Sequence, residues 1–248
     1  KEWFMETSMD LGIEITDEGC GVDPESLFFS ISTEGRNSFG EWMAISRENL
    51  TEIENGFSIS VVANLEEGGD NYIRFSGTDH VRNPVALSQS FRLNVDVTGV
   101  KFNSERPTAD EYSADKELEC YITITDEGSG VDASTVAYSY STSGNNSEDF
   151  GEWITVEDIP NGKNIRIAVS LEFEWGNNNF IRWRGTDLVG NDVVVSEPYR
   201  IWLNSEPTVI ITSPLPYSGQ FTTADLIEFD ASNSTDADGD ELSFYWSS

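Results

Sequence analysis

Aspartates recur at short spacing in three glycine-rich segments of the chain. The phrase ITDEGCGVD returns later as ITDEGSGVD, and a third segment reads DADGD. The aspartates concerned are Asp17 and Asp23, then Asp126 and Asp132, and finally Asp236, Asp238 and Asp240. Carboxylate and backbone carbonyl oxygens are the ligands that Ca²⁺ accepts. The three segments are therefore candidate calcium sites.

The first two acidic segments belong to an internal repeat. FGEW occurs at 39–42 and again at 150–153, and NYIRFSGTDHVRN returns as NFIRWRGTDLVGN, with offsets of 108 to 111 residues. Such a period is that of a whole domain, because solenoid units run about 20 to 50 residues. We expect domains at 1–102 and 103–205, joined by a linker at Asn103–Pro107. The first is expected to begin inside its own first strand.

Strict alternation of apolar and polar residues predicts strands with one buried face. The clearest runs are Met9, Leu11, Ile13 and Ile15, and the equivalent Leu118, Cys120, Ile122 and Ile124. About seven short strands in about 100 residues, separated by turn residues, are typical of a β-sandwich of the immunoglobulin or fibronectin type III kind. The predicted fold class is all-β, with tandem sandwiches of which the last, at 206–248, is incomplete.

In such a sandwich the loop after the second strand and the loop before the last strand emerge at the same end. The second loop of each repeat carries an Asp and an Asn, within TDHVRN and TDLVGN. Asp17 and Asp23 are thus expected to approach Asp79 and Asn83, and Asp126 and Asp132 to approach Asp187 and Asn191. Each set predicts a calcium site, although Asp, Asn and Gly also serve as ordinary turn formers. Both interpretations stay open.

The DADGD turn has a stronger reason to hold a cation. Its three carboxylates repel one another unless a cation or amides compensate them. An EF-hand loop does not fit, because Gly239 comes too early and position twelve would be Ser247. Asn233 and Ser234 are candidate additional oxygen donors, and plain turn formation remains the alternative.

The chain is very acidic, with 45 Asp and Glu against 14 Lys and Arg and a net charge of −31. This field repels nucleic acid phosphates and anionic lipid headgroups, so we expect neither nucleic acid binding nor membrane insertion. A salt-adapted surface without specific sites would have the same composition. Asn49, Asn145 and Asn233 lie in glycosylation sequons, which suit an exported protein.

Few residues suit catalysis. His80 is the one histidine, which excludes a two-histidine metal motif and leaves Cys20 or any serine dependent on that imidazole. Carboxylates are plentiful, but small sandwiches seldom build the deep cleft that a glycosidase needs. We therefore expect no enzyme activity. Cys20 and Cys120 fall in different repeats and predict no disulfide within a domain.

Seven tryptophans raise the question of a carbohydrate platform. Trp183 alternates on the same strand face as Ile181 and is expected in the core, and Trp42 and Trp153 recur in register as packing residues. Trp175 and Trp202 are the candidates for exposure. An exposed pair stacks on a sugar or packs against a neighbouring domain.

The third unit resembles the start of a PKD domain, through the phrase FDASNSTDADGDELSFYW at 229–246. The two repeats resemble bacterial and archaeal surface Ig-like modules, which carry a D-x-G-S-G-V-D turn and a later T-D-x-x-G-N turn. The second repeat matches both turns, whereas in the first Cys20 replaces the serine and Arg82 the glycine. The resemblance implies an extracellular, cell-surface location.

These observations predict a non-catalytic structural or adhesive segment of a large surface protein, of surface-layer, filament or stalk type. Ca²⁺ at the acidic loop ends would stiffen it. The expected partners are other domains of the same chain or neighbouring subunits, with glycans as a further class. The alternative is an accessory carbohydrate-binding or spacer module of a secreted hydrolase.

Overall fold

The computed structural model describes residues 2–108, 111–214, 221–222 and 224–247, and it confirms the all-β fold. In the first repeat the strands are β1 (Trp3–Phe4), β2 (Ser8–Thr16), β3 (Phe28–Ser32), β4 (Met43–Ala44), β5 (Leu50–Ile53), β6 (Gly56–Asn64), β7 (Gly68–Gly77), β8 (Ala86–Leu87) and β9 (Phe91–Val95). In the second they are β10 (Lys101–Arg106), β11 (Tyr112–Ser113), β12 (Glu117–Thr125), β13 (Val131–Ser141), β14 (Ile154–Thr155), β15 (Asn164–Glu172), β16 (Gly176–Asp187), β17 (Val194–Val195) and β18 (Tyr199–Leu203). Short 3₁₀ helices occupy Pro24–Ser26, Arg47–Asn49 and Ser147–Asp149. Among the described residues no helix is long and apolar enough to cross a membrane.

Close contacts divide the chain into two compact units. The first comprises the chain through Val100 together with two loops of the second repeat, Asp126–Val131 and Thr186–Val193. The second comprises Lys101–Thr125, Asp132–Gly185 and the chain from Val194 onward. The acidic loops of the second repeat thus belong to the same compact unit as the first repeat. The domain boundaries at 102/103 and 205/206 remain predictions.

Two sheets build the first unit. One has the order β1-β9-β7-β3-β4, with β8 paired to β7, and the other has the order β2-β6-β5. Ile59 and Val61 of β6 and Ile73 and Phe75 of β7 are buried in one hydrophobic cluster, so the sheets face each other. The alternating apolar residues of β2 pack against this cluster while their neighbours face solvent, as predicted.

The second unit repeats this arrangement with one change. Its larger sheet has the order β11-β18-β16-β13-β14, with β17 paired to β16. Its smaller sheet has the order β10-β12-β15. In the first unit the third strand of the smaller sheet is β5, which pairs with β6. In the second unit the third strand is β10, which pairs with β12, the counterpart of β2. Most of the predicted linker at Asn103–Pro107 is therefore a strand, and its description as a linker was wrong.

The chain from Glu206 onward does not form the predicted strands. Val209–Ile211, Leu226–Ala231 and Leu242–Trp246 were expected as strands, but the described residues of this region form only isolated bridges, Thr208 with Thr235 and Ser213 with Asp230. Leu226 is 98% exposed. A ladder needs a neighbouring strand to pair with, and the described residues of this segment leave apolar side chains such as Phe229 and Phe244 exposed instead of covering a common face.

In each repeat the two aromatic rings of FGEW contact an arginine, which lies on β7 in the first repeat and on β16 in the second. The Arg74 Cζ atom lies 4.0 Å from the Phe39 ring centre and 4.6 Å from that of Trp42. The corresponding set in the second repeat is Arg182 with Phe150 at 4.0 Å and Trp153 at 4.9 Å. A guanidinium over an aromatic face is attracted by the ring quadrupole. Both tryptophans thus contact an arginine, but only Trp153 is half-buried, whereas Trp42, predicted as a packing residue, is 37% exposed.

Cys120 gives the second unit a pH dependence at the alkaline end. Burial raises the pKa of its thiol from 9.0 to about 12. Because the folded state holds the neutral thiol, this stabilisation is complete below pH 9 and is lost as the pH rises toward 12. We expect unfolding free energy to fall by about 2.5 kcal/mol more between pH 8 and pH 11 in the wild type than in Cys120→Ala. Urea unfolding of both proteins at the two pH values measures this difference. If the unfolding free energy falls by the same amount in both proteins, the prediction is wrong.

Candidate cation site

The structure brings acidic side chains together at three places among its described residues. In each group every member offers a ligand atom within 4.8 Å of the others. The groups are Asp17, Cys20 and Asp79; Asp96, Asp126 and Asp187; and Asp236, Asp238 and Asp240. All members of the middle group are buried, whereas each of the other two groups is partly exposed. We call the middle group the buried triad.

Strand ends position the buried triad. Asp96 directly follows β9, Asp126 directly follows β12, and Asp187 is the last residue of β16. Asp96 is 0% exposed, and Asp126 and Asp187 are also buried. All three residues belong to the first compact unit. The triad therefore unites the end of the first repeat with the two acidic loops of the second.

Backbone amides orient each carboxylate of the triad. Asp96 Oδ2 accepts a hydrogen bond of 2.6 Å from the Ser129 amide, and Asp126 Oδ1 accepts one of 2.6 Å from the Gly130 amide. Asp187 Oδ1 accepts from the amide of Gly190 at 2.8 Å. The carboxylates are thus held in place before any ligand arrives.

Asp96 keeps one oxygen without a hydrogen bond. Its Oδ1 atom is buried and has no partner among the described residues. The loop also approaches this side chain closely, since a Cβ atom added to Gly128 would lie 2.3 Å from Asp96 Cγ. Glycine at 128 is therefore required by the proximity of the Asp96 carboxylate. Buried carboxylate oxygens ordinarily find a partner, so this one calls for an explanation.

The three carboxylates influence one another electrostatically. Burial raises the pKa of Asp126, the hydrogen bond from Gly130 lowers it, and the negative charges of Asp96 and Asp187 raise it again. The net direction is upward. Burial and like charge together therefore disfavour the ionised triad in the absence of a compensating charge.

Asn191 and Asp132 occupy different places relative to the triad. The Asn191 side-chain amide donates to Asp187 Oδ2 at 2.8 Å and to the Asp96 carbonyl at 3.0 Å. Asp132 Oδ1 instead accepts from the Ser134 amide at 3.1 Å and the Ser134 hydroxyl at 2.7 Å. Asn191 thus supports the triad, whereas Asp132 forms its own turn.

Sequence reasoning identified Asp126 and Asp187 but missed Asp96. It considered only loops of the same repeat, while Asp96 follows the last strand of the preceding one. The available indication was an aspartate directly after the alternating run of β9, in NVDVTG.

The equivalent group of the first repeat uses the same turn chemistry in a partly exposed setting. Asp17 Oδ2 accepts from the Gly21 amide at 2.8 Å, and Asp79 Oδ1 accepts from the Asn83 amide at 2.9 Å. This second bond lowers the pKa of Asp79. Asp23 lies apart and caps the 3₁₀ helix through the Glu25 amide. The third member of the group is the Cys20 thiol, a softer ligand than a carboxylate.

The DADGD turn is held partly by its own amides. Asp236 Oδ1 accepts from the Asp238 amide at 3.1 Å, and Asp238 Oδ2 accepts from the Ser205 amide at 2.7 Å. Of the two proposed additional donors, Ser234 accepts a hydrogen bond from the Ile210 amide and Asn233 is exposed. The turn therefore has backbone partners of its own.

The two tryptophans expected at the surface are both half-buried. The Lys116 Nζ atom lies 5.5 Å from the Trp175 ring centre. The Trp202 ring meets Tyr112 edge to face, with centres 5.1 Å apart. Trp183 is buried in the core as predicted.

Comparison with known proteins leaves the family open. No family model matches the chain, and no curated protein matches it. Among solved structures, a DUF3823 family protein from Parabacteroides merdae ATCC 43184 is 10% identical over 78% of this chain and 98% of its own, with a TM-score of 0.29. At that TM-score the likeness supports no argument about fold or function.

Proposed function

We propose that the chain is a non-catalytic structural segment of an extracellular, cell-surface protein. Its sandwich repeats would space and connect other parts of that protein or neighbouring subunits, as in a surface layer, filament or stalk. The repeated strand order supports this role, because serial copies of one sandwich are suited to building length. The three glycosylation candidates, Asn49, Asn145 and Asn233, are exposed and accessible to modification.

One observation carries the proposal: the end of the first repeat is hydrogen-bonded to loops of the second within one compact unit. The Ser129 amide donates to the Asp96 carboxylate at 2.6 Å. The Asn191 side chain donates to the backbone carbonyls of Asp96 at 3.0 Å and Thr98 at 3.4 Å. Such bonds anchor the acidic loops of the second repeat to the end of the first repeat, which favours a structural connection over a flexible tether.

The proposed location is tested on intact cells of the source organism. Antibodies raised against the chain, followed by gold-labelled electron microscopy, are expected to mark the outer face of the cells. Antibodies against a cytoplasmic protein serve as the matched control and should label only after permeabilisation. Labelling of the chain that also requires permeabilisation would overturn the extracellular role.

A carbohydrate-binding role is the second candidate, because the second unit contains a cavity of about 440 Å³ with an aromatic wall. It is lined by Tyr112, Gly176, Asn177, Trp202, Leu203, Asn204, Asp238 and Asp240. In this wall the exposed Tyr112 ring meets the Trp202 ring edge to face. Aromatic faces beside amides and carboxylates suit a sugar ring. A glycan array without hits for the wild type would argue against this candidate.

A further inference from the structure

We propose that Asp96, Asp126 and Asp187 together bind one hard divalent cation, with Ca²⁺ the ion that matches the site best. The stiffening that this ion would provide rests on the structural role proposed above, whereas its binding does not. Asp96 is the member that completes the site, because it brings a third carboxylate to the pair in the acidic loops.

Charge is the first argument for an ion. Three carboxylates offer oxygens within 4.8 Å of one another while buried from solvent. Like charges this close cannot all stay ionised in a buried place unless opposite charge or amides compensate them. The ion pairs Arg47–Glu25, Arg106–Glu111 and Lys116–Glu174 lie elsewhere on the described surface, so these cations do not compensate the triad.

The free oxygen of Asp96 is the second and independent argument. Amides already satisfy Asp96 Oδ2, Asp126 Oδ1 and Asp187 Oδ1. Asp96 Oδ1 is buried without any partner among the described residues. Leaving a buried charged oxygen unpaired is costly, and a metal ion beside it removes that cost.

The donor set selects the class of ion. All three side chains offer oxygen and none offers nitrogen or sulfur, which favours a hard cation over zinc or copper. Oxygens that share one Ca²⁺ lie at about 2.3 to 2.6 Å from the ion, so the separations in the triad fit a single ion. Mg²⁺ usually keeps several bound waters, and a buried site leaves little room for them. The burial of the triad therefore favours Ca²⁺ over Mg²⁺.

The partly exposed group in the first repeat, Asp17, Cys20 and Asp79, offers a matched comparison. Asp17 and Asp79 correspond to Asp126 and Asp187 and accept the same kinds of backbone hydrogen bonds. A thiol, Cys20, completes that group in place of a carboxylate, and the group is partly exposed. Ca²⁺ is therefore expected to bind the buried triad in preference to this group.

Calorimetric titration of the full chain with CaCl₂, after chelation and dialysis, tests the site. We expect saturable wild-type binding that is at least about tenfold weaker in Asp96→Asn, because the site loses one of its three charges. Asp79→Asn, in the partly exposed group, is the control and should bind as the wild type does. Thermal melts are expected to show that Ca²⁺ stabilises the wild type and the control more than Asp96→Asn.

Several outcomes would overturn the site. These are no saturable wild-type binding up to about 10 mM Ca²⁺, equal affinity in the wild type and Asp96→Asn, or loss of binding only in Asp79→Asn. If Asp96→Asn does not fold, native mass spectrometry of the wild type in Ca²⁺ decides, and absence of a bound ion refutes the proposal. Failure here leaves the surface-labelling result intact, so the two proposals fail separately.

Discussion

Truncation of Trp183 to alanine is expected to destabilise the second unit by about 4 kcal/mol, the largest effect of any single substitution considered. The side chain is 1% exposed and packs with its ring centre 5.7 Å from that of Tyr138. Removing the indole forfeits its burial and leaves a cavity that the surrounding strands fill only in part. Urea unfolding followed by circular dichroism measures the loss without relying on the fluorescence of the removed residue.

Phenylalanine at the same position provides the control for this substitution. The first repeat places Phe75 at the equivalent site and buries it in its own core. Trp183→Phe is therefore expected to cost no more than about 1.5 kcal/mol, because a six-membered aromatic ring stays in place and only part of the indole volume is lost. If the two variants lose equal stability, the cavity explanation is wrong.

Replacing Asn179 with alanine is expected to cost about 3 kcal/mol, although the residue lies near a loop and is not apolar. Its Oδ1 atom accepts from the Glu174 amide at 3.1 Å. Its Nδ2 atom donates to the carbonyls of Glu174 at 2.7 Å and Gly176 at 3.2 Å. Alanine would leave these backbone groups without their buried partner. Unfolding in urea gives the difference in stability.

The neighbouring Asn178 is exposed and serves as the matched control, since Asn178→Ala should change stability by less than about 0.5 kcal/mol.

The first repeat contains a counterpart of Asn179, and its replacement by alanine should cause a similar loss of stability. Asn71 accepts from the Glu66 amide at 2.9 Å and donates to the carbonyls of Glu66 and Gly68. A loss below about 1 kcal/mol in both Asn179→Ala and Asn71→Ala would show that water replaces these bonds.

The elements that sequence predicts best here are those set by local alternation. The inward residues of β2 and β12 were identified correctly, because a strand points successive side chains to opposite faces whatever its neighbours are. The same reasoning placed Trp183 in the core. It failed for Leu226–Ala231, because strand-forming composition yields a ladder only when another strand is available to pair with it.

The buried triad shows what sequence alone leaves out. Asp126 and Asp187 were linked through the expected meeting of two loops of one sandwich. Asp96 joins them from the preceding repeat, and its proximity depends on how distant strand ends come together. Local pattern also gives no indication that Asp132 accepts hydrogen bonds from Ser134 and does not join the triad, although it stands in the same acidic phrase as Asp126.

The pairing of β10 with β12 has a mechanical consequence. A segment of six residues that is not paired with another strand could lengthen to about 20 Å under tension. Lys101–Arg106 instead forms β10 and pairs with Tyr121–Thr125 of β12. A pulling force must break this ladder before it can draw length from the segment. Under small displacements the pairing with β12 is therefore expected to keep Lys101–Arg106 at its strand length.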